Sequence, residues 1–117
     1  MKSEQLVERI AKRYLVSQGH SQQSASSTDW ISVATEIGAA LIPIIRDCIA
    51  KRRGAGQVAE FAKRRPLLTR IEVRNGLGKE GIRLADRRAA VNAVMDEIEQ
   101  SNPDELTTAF QEVADDS

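Results

Sequence analysis

The sequence predicts a mainly α-helical fold, a single domain of about five helices, with residues 67–84 open between a further helix and one β-hairpin. Three features carry that expectation. Aliphatic residues recur at spacings of three and four along most of the 117-residue chain, the period of a helix with one buried face. Residues that start and stop helices bracket those stretches. Hydrophobic residues make up 41% of the chain, yet Tyr14, Trp30, Phe61 and Phe110 are its whole aromatic complement. Ala, Ile, Leu and Val must therefore fill the core, which suits helix-on-helix packing.

The first helix is expected over Ser3–Ser17, with Leu6, Val7, Ile10, Tyr14 and Leu15 as its stripe. Ser3 is read as its N-cap, with Glu4 in the first turn facing the helix dipole. Gly19 ends it, and residues 19–28, GHSQQSASST, read as a polar, mobile linker. A long helix then starts near Thr28 or Asp29. Trp30, Val33, Ile37, Leu41, Ile44, Ile45, Cys48 and Ile49 form one stripe, and Pro43 predicts a kink or break within it. Gly38, Ala39 and Ala40 leave the backbone bare, so a second helix can cross there. Gly54 closes this helix.

A short helix over Gln57–Arg65 carries Val58, Phe61 and Ala62 and stops at Pro66. From Leu67 to Val73 the period is ambiguous. Ile71 and Val73 alternate with charges as in a strand, followed by the turn dipeptide Asn75-Gly76 and a return strand over Gly81–Leu84. A helix with Pro66 at its first position and Leu67, Leu68 and Ile71 inward fits the same residues. Asp86–Gln100 reads as a helix, and Asn102-Pro103-Asp104-Glu105 as the capped start of the last one. The expected core comprises Ile10, Tyr14, Trp30, Ile37, Leu41, Ile45, Phe61, Val91, Met95, Ile98 and Phe110.

Several chemistries are disfavoured. Gly76-Leu77-Gly78-Lys79-Glu80-Gly81 matches the dinucleotide-loop pattern G-x-G-x-x-G. That loop needs a strand before it, a helix after it and further parallel strands beyond, and this chain has no room for the sheet. His20 is the only histidine and lies in the polar linker, where a catalytic base would lack a rigid setting. Cys48, the only cysteine, falls on an apolar stripe and reads as a small buried hydrophobe. Asp96, Glu97, Glu99, Asp104 and Glu105 read as a solvated acidic face, since their spacing matches no calcium loop. No enzyme, cofactor or metal is expected. No secretory leader opens the chain and its longest uncharged apolar run is too short for a membrane span, so a cytoplasmic protein without membrane contact is the expectation.

Charge is the most informative feature. The net charge is zero, but residues 46–88 hold thirteen Lys and Arg against five Asp and Glu, whereas residues 89–117 hold eight acids and no base. Lys51, Arg52, Arg53, Lys63, Arg64 and Arg65 flank the short helix, as two Lys-Arg-Arg triplets twelve residues apart. Arg70, Arg74, Lys79, Arg83, Arg87 and Arg88 follow. Such a density suits a polyanion, most directly the backbone of duplex nucleic acid. The alternative is protein–protein assembly, in which the basic and acidic segments dock on one another, within one chain, in a homo-oligomer or against a partner protein.

Overall fold

The computed structural model describes residues 1–19 and 27–116, with the side chains of 27–30 outside that description. His20, most of the predicted linker and the Trp30 side chain thus lie outside the described residues. Six helices follow one another: α1 (Ser3–Ser17), α2 (Ser27–Arg52), α3 (Ala55–Arg64), α4 (Pro66–Lys79), α5 (Leu84–Gln100) and α6 (Pro103–Asp115). The described residues contain no strand.

Helix α2 packs against α1, α3, α4 and α6, while α3 lies on α6, and α5 is clasped between α1 and α4. The stripe logic holds. Leu6, Ile10 and Tyr14 of α1 are buried at four-residue spacing, and Ile37, Leu41, Ile44 and Ile45 of α2 meet them in one core with Val91, Val94 and Ile98 of α5 and Phe110 of α6. Phe61 and Met95 are half-buried at its margin. Helix α2 does not break at Pro43 but runs through it. The proline deletes one intrahelical hydrogen bond, and buried side chains on either side of it hold the helix together. Crossing at the bare segment of α2 is realised by α1: a Cβ added to Gly38 would lie 2.8 Å from Val7 Cγ1.

The start of α6 follows its local sequence, and the start of α1 does not. Asn102 Oδ1 accepts the Glu105 N–H at 2.8 Å, and Glu105 Oε1 accepts the Asn102 N–H at 3.2 Å, a reciprocal capping box. Ser3 is not the cap of α1: Lys2 holds that position. The Ser3 side chain is buried instead, and its hydroxyl donates to Glu112 Oε1 at 2.7 Å, pinning the start of α1 to α6.

Residues 67–84 form no hairpin. Pro66 presets the first turn of α4, and the helix continues through Asn75-Gly76 to Lys79. Its buried side chains are Val73 and Leu77, whereas Leu67, Leu68 and Ile71, the residues a helix was expected to turn inward, are exposed. Tertiary packing overrides the turn preference of Asn-Gly. A Cβ on Gly76 would stand 2.7 Å from Ile44 Cγ1, so glycine lets α4 close on α2. The dinucleotide-like glycines therefore have unrelated roles: Gly76 is a helix crossing, Gly78 lies under the Arg87 guanidinium, and Gly81, at φ +88°, makes the turn into α5. Gly76→Val is expected to destabilise the fold by about 2–3 kcal/mol through overpacking against Ile44. Gly78→Ala is expected to stay within about 1 kcal/mol of the parent, since its Cβ would ask the Arg87 side chain to give by only a few tenths of an ångström and alanine favours the helix. Urea unfolding of both variants checks the pair, and equal stability would discard the crossing role of Gly76.

Candidate anion-binding groove

Ten of the twelve basic residues picked out by density divide into two groups, and Arg70 and Arg87 stand between them. The first is spent on the fold. Arg52 donates to both Glu72 oxygens, at 3.0 and 2.6 Å, and its guanidinium lies 3.7 Å from the Phe61 ring centroid. This joins the ends of α2 and α3 to α4. Lys51 adds a 3.4 Å contact to Glu72. Burial pushes the Glu72 carboxyl upward, but the Arg52 hydrogen bonds and the neighbouring Lys51 outweigh it and hold its pKa below the ordinary value. Lys63 donates to the Glu99 carbonyl at 3.2 Å, Arg64 pairs with Glu60 at 2.9 Å, and Arg83 pairs with Asp86 at 3.2 Å. The last-turn positions of Lys51, Arg52, Lys63 and Arg64 also complement the dipoles of α2 and α3.

The second group has no such internal use. Arg53, Arg65, Arg74, Lys79 and Arg88 make no side-chain hydrogen bond or ion pair with any described residue, and all are exposed. Arg53 and Arg65 sit at the α2–α3 and α3–α4 corners. Arg74 and Arg88 face each other across a groove.

That groove is the structural finding that the sequence did not show. Helices α4 and α5 run antiparallel, so Arg70 meets Asn92 while Gly78 meets Arg87. Between them lies a cavity of about 270 Å³ lined by Arg70, Arg74, Arg87 and Arg88, with Leu84 and Val91. No carboxylate lines it. Arg70 is oriented by its hydrogen bond to Asn92 Oδ1, and Arg87 by donating Nε–H to the Ile82 carbonyl at 2.8 Å. Arg74 and Arg88 keep all their donors. Four like charges converge here with only neutral acceptors, two of them held in place and two free to grip. A planar guanidinium suits bidentate capture of phosphate or carboxylate.

The acidic C-terminal segment does not cover this charge. Among the described residues no ion pair joins a base of 46–88 to a carboxylate of 89–117. Bases of the middle segment pair with its own Glu60, Glu72 and Asp86. Glu97, read as part of a solvated face, is instead buried and pairs with Arg9 and Arg13 of α1. The signal for it was present, since Arg9 and Arg13 stand one turn apart on α1.

The other candidates offer less. Cys48 is half-buried beside a second groove, between α2 and α4, lined also by Asp47, Lys51, Glu72, Lys79 and Glu80. Burial and the nearby Glu72 push its thiol up, away from the reactive thiolate. No cluster of three or more His, Cys, Asp or Glu among the described residues would hold a metal ion. No helix among them is long and apolar enough to cross a membrane. No protein-family model, curated protein or solved structure matches the chain.

Proposed function

We propose that this is a small non-enzymatic binding protein that takes a polyanionic macromolecule on the arginine face of α4 and α5. The observation that carries the reading is the groove itself: four arginines, no carboxylate, and two guanidinium groups without an internal partner. In its first form the polyanion is duplex nucleic acid. Arg74 and Arg88 grip backbone phosphates, and Arg70 and Arg87 supply fixed positive charge beneath them. Such contacts position a duplex without reading its bases.

The test is fluorescence anisotropy with a labelled DNA duplex, an RNA duplex and polyglutamate across a salt series. Binding on the order of 10 µM is expected at low salt, weakening steeply as salt rises. The double variant Arg74→Ala/Arg88→Ala should reduce the log–log salt slope for the duplex by about 2, one for each lost phosphate contact. Both side chains are exposed and unpartnered, so the thermal midpoint should not move. Absence of binding to every probe at low salt, or binding indifferent to this variant, overturns the reading.

A partner protein is the second form, and it has its own support. Leu67, Leu68, Ile71 and Leu84 lie exposed on the same two helices as the arginines.

A further inference from the structure

Six large hydrophobic side chains are exposed among the described residues, and four of them belong to α4 and the first turn of α5: Leu67 at 76%, Leu68 at 51%, Ile71 at 55% and Leu84 at 66%. Leu84 also lines the arginine groove. Aliphatic area of this kind gains nothing from a phosphate backbone, whose protein interfaces are polar and wet. It gains from being covered by another apolar surface. Arginine interleaved with exposed aliphatics is the composition of a protein interface.

We infer that the occupant of the α4–α5 face is an acidic amphipathic helix of a partner protein. This rests on the reading that the arginine groove takes an anionic macromolecule, and it names that macromolecule. Two arguments select it. First, charge: the groove presents four guanidinium groups and no carboxylate, so the occupant brings the carboxylates. Second, geometry: the described residues present no strand edge, which leaves peptide strand addition without a template, whereas two antiparallel helices form the seat that a third helix fills. The register follows from α4. Leu67 and Ile71 are one turn apart, Arg70 lies between them in sequence, and Arg74 lies almost one turn beyond Ile71 on the same helix. The span from Leu67 to Arg74 is about 10 Å at the rise of a helix. The partner helix therefore carries apolar residues at one-turn spacing and acids about two turns along from the first of them. Ion pairs to Arg74 and Arg88 fix its position, and burial of Leu67, Ile71 and Leu84 supplies the contact area.

The experiment titrates the full chain with three probes. One is a synthetic acidic peptide of about 21 residues, three heptads, with Leu at the two inward positions of each heptad and Glu at most others. Another is a scrambled peptide of the same composition without an apolar face, and the third is a DNA duplex. The amphipathic peptide is expected to bind at least about ten-fold more tightly than the scrambled one and to gain helicity on binding. Ile71→Asp and Arg74→Ala/Arg88→Ala should each weaken it by about ten-fold or more. Leu67→Asp is the independent check, since an acid in the first turn of α4 favours the fold. Equal binding of the two peptides, both lost with the arginine pair, overturns the helix and leaves the anionic reading standing. Tighter binding of the duplex, untouched by Ile71→Asp, assigns the face to nucleic acid. Self-association abolished by Ile71→Asp assigns it to a second copy. Failure of all three probes overturns both the inference and the reading beneath it.

Discussion

Tyr14→Ala is expected to lower the free energy of unfolding by about 3–5 kcal/mol, the range for emptying a buried aromatic site. Tyr14 is completely buried on α1, a helix that packs against α5. Its hydroxyl reaches Asp86 Oδ1 at 3.4 Å, and Asp86 in turn accepts from Arg83 Nε at 3.2 Å. The ring thus fills the core while its polar end organises the first turn of α5, next to the arginine groove. Tyr14→Phe separates the two roles. It keeps the packing and removes the long hydrogen bond to Asp86, so a loss of about 1 kcal/mol is expected. Denaturant unfolding of both variants measures the ratio, and a loss below that of the phenylalanine variant for Tyr14→Ala would remove the ring from the core.

The same residue makes a prediction at high pH. Burial first, and then the charge and hydrogen bond of Asp86, push the Tyr14 phenol up to about 12, against a smaller opposing pull from Arg83. Tyrosine in an unfolded chain titrates near 10. A pKa raised in the folded state gives a contribution to stability that is complete below the unfolded pKa and is lost as pH rises through the folded one. Stability should therefore fall between about pH 10 and 12, by about 2–3 kcal/mol for a shift of two units. Tyr14→Phe should flatten that limb of the pH profile.

Much of this fold was legible because each helix carries its own local punctuation. Asn102-Pro103-Asp104-Glu105 satisfies its backbone donors within four residues, and the Ile10–Tyr14 stripe needs only the helical period. The failures arise where long-range contacts decide. Asn75-Gly76 favours a turn in isolation, and only the approach of Ile44 makes glycine the residue that a helix crossing requires there. Leu67, Leu68 and Ile71 look like core by hydrophobicity, but the packing of α4 on α2, α3 and α5 buries Val73 and Leu77 instead. For the candidate site, charge density nominated twelve bases, of which the structure leaves five without an internal partner among the described residues. Arg52 and Arg74 are indistinguishable in the sequence. One is consumed by Glu72 and Phe61 and the other is left free, because their helices present them to different neighbours.

Glu97 carries the second large effect. It lies 2% exposed on α5, with Oε1 accepting from Arg13 Nε at 2.8 Å, Oε2 accepting from Ser101 Oγ at 2.8 Å, and Arg9 at 3.6 Å. Burial pushes its carboxyl upward. The hydrogen bonds from Arg13 and Ser101, then the charges of Arg13 and Arg9, outweigh that and hold its pKa below the ordinary value. A pKa depressed in the folded state gives stability that is present above the unfolded pKa, near 4.3 for glutamate, and is lost as pH falls through the folded one. Glu97→Gln is expected to cost about 2 kcal/mol at neutral pH. That is less than for a wholly buried pair, because the Arg9 and Arg13 side chains, 49% and 37% exposed, regain water when the carboxylate goes. The gap between parent and variant should narrow between neutral pH and an acid pH well below the ordinary glutamate value of about 4.3, as the parent glutamate takes up its proton. Unfolding at the two pH values decides it, and a constant gap would show that the carboxylate's charge contributes nothing. The same variant separates folding charge from binding charge. Glu97 belongs to α1's arginines and stands apart from the α4–α5 groove, so Glu97→Gln should leave polyanion affinity unchanged while Arg74→Ala/Arg88→Ala weakens it at constant stability.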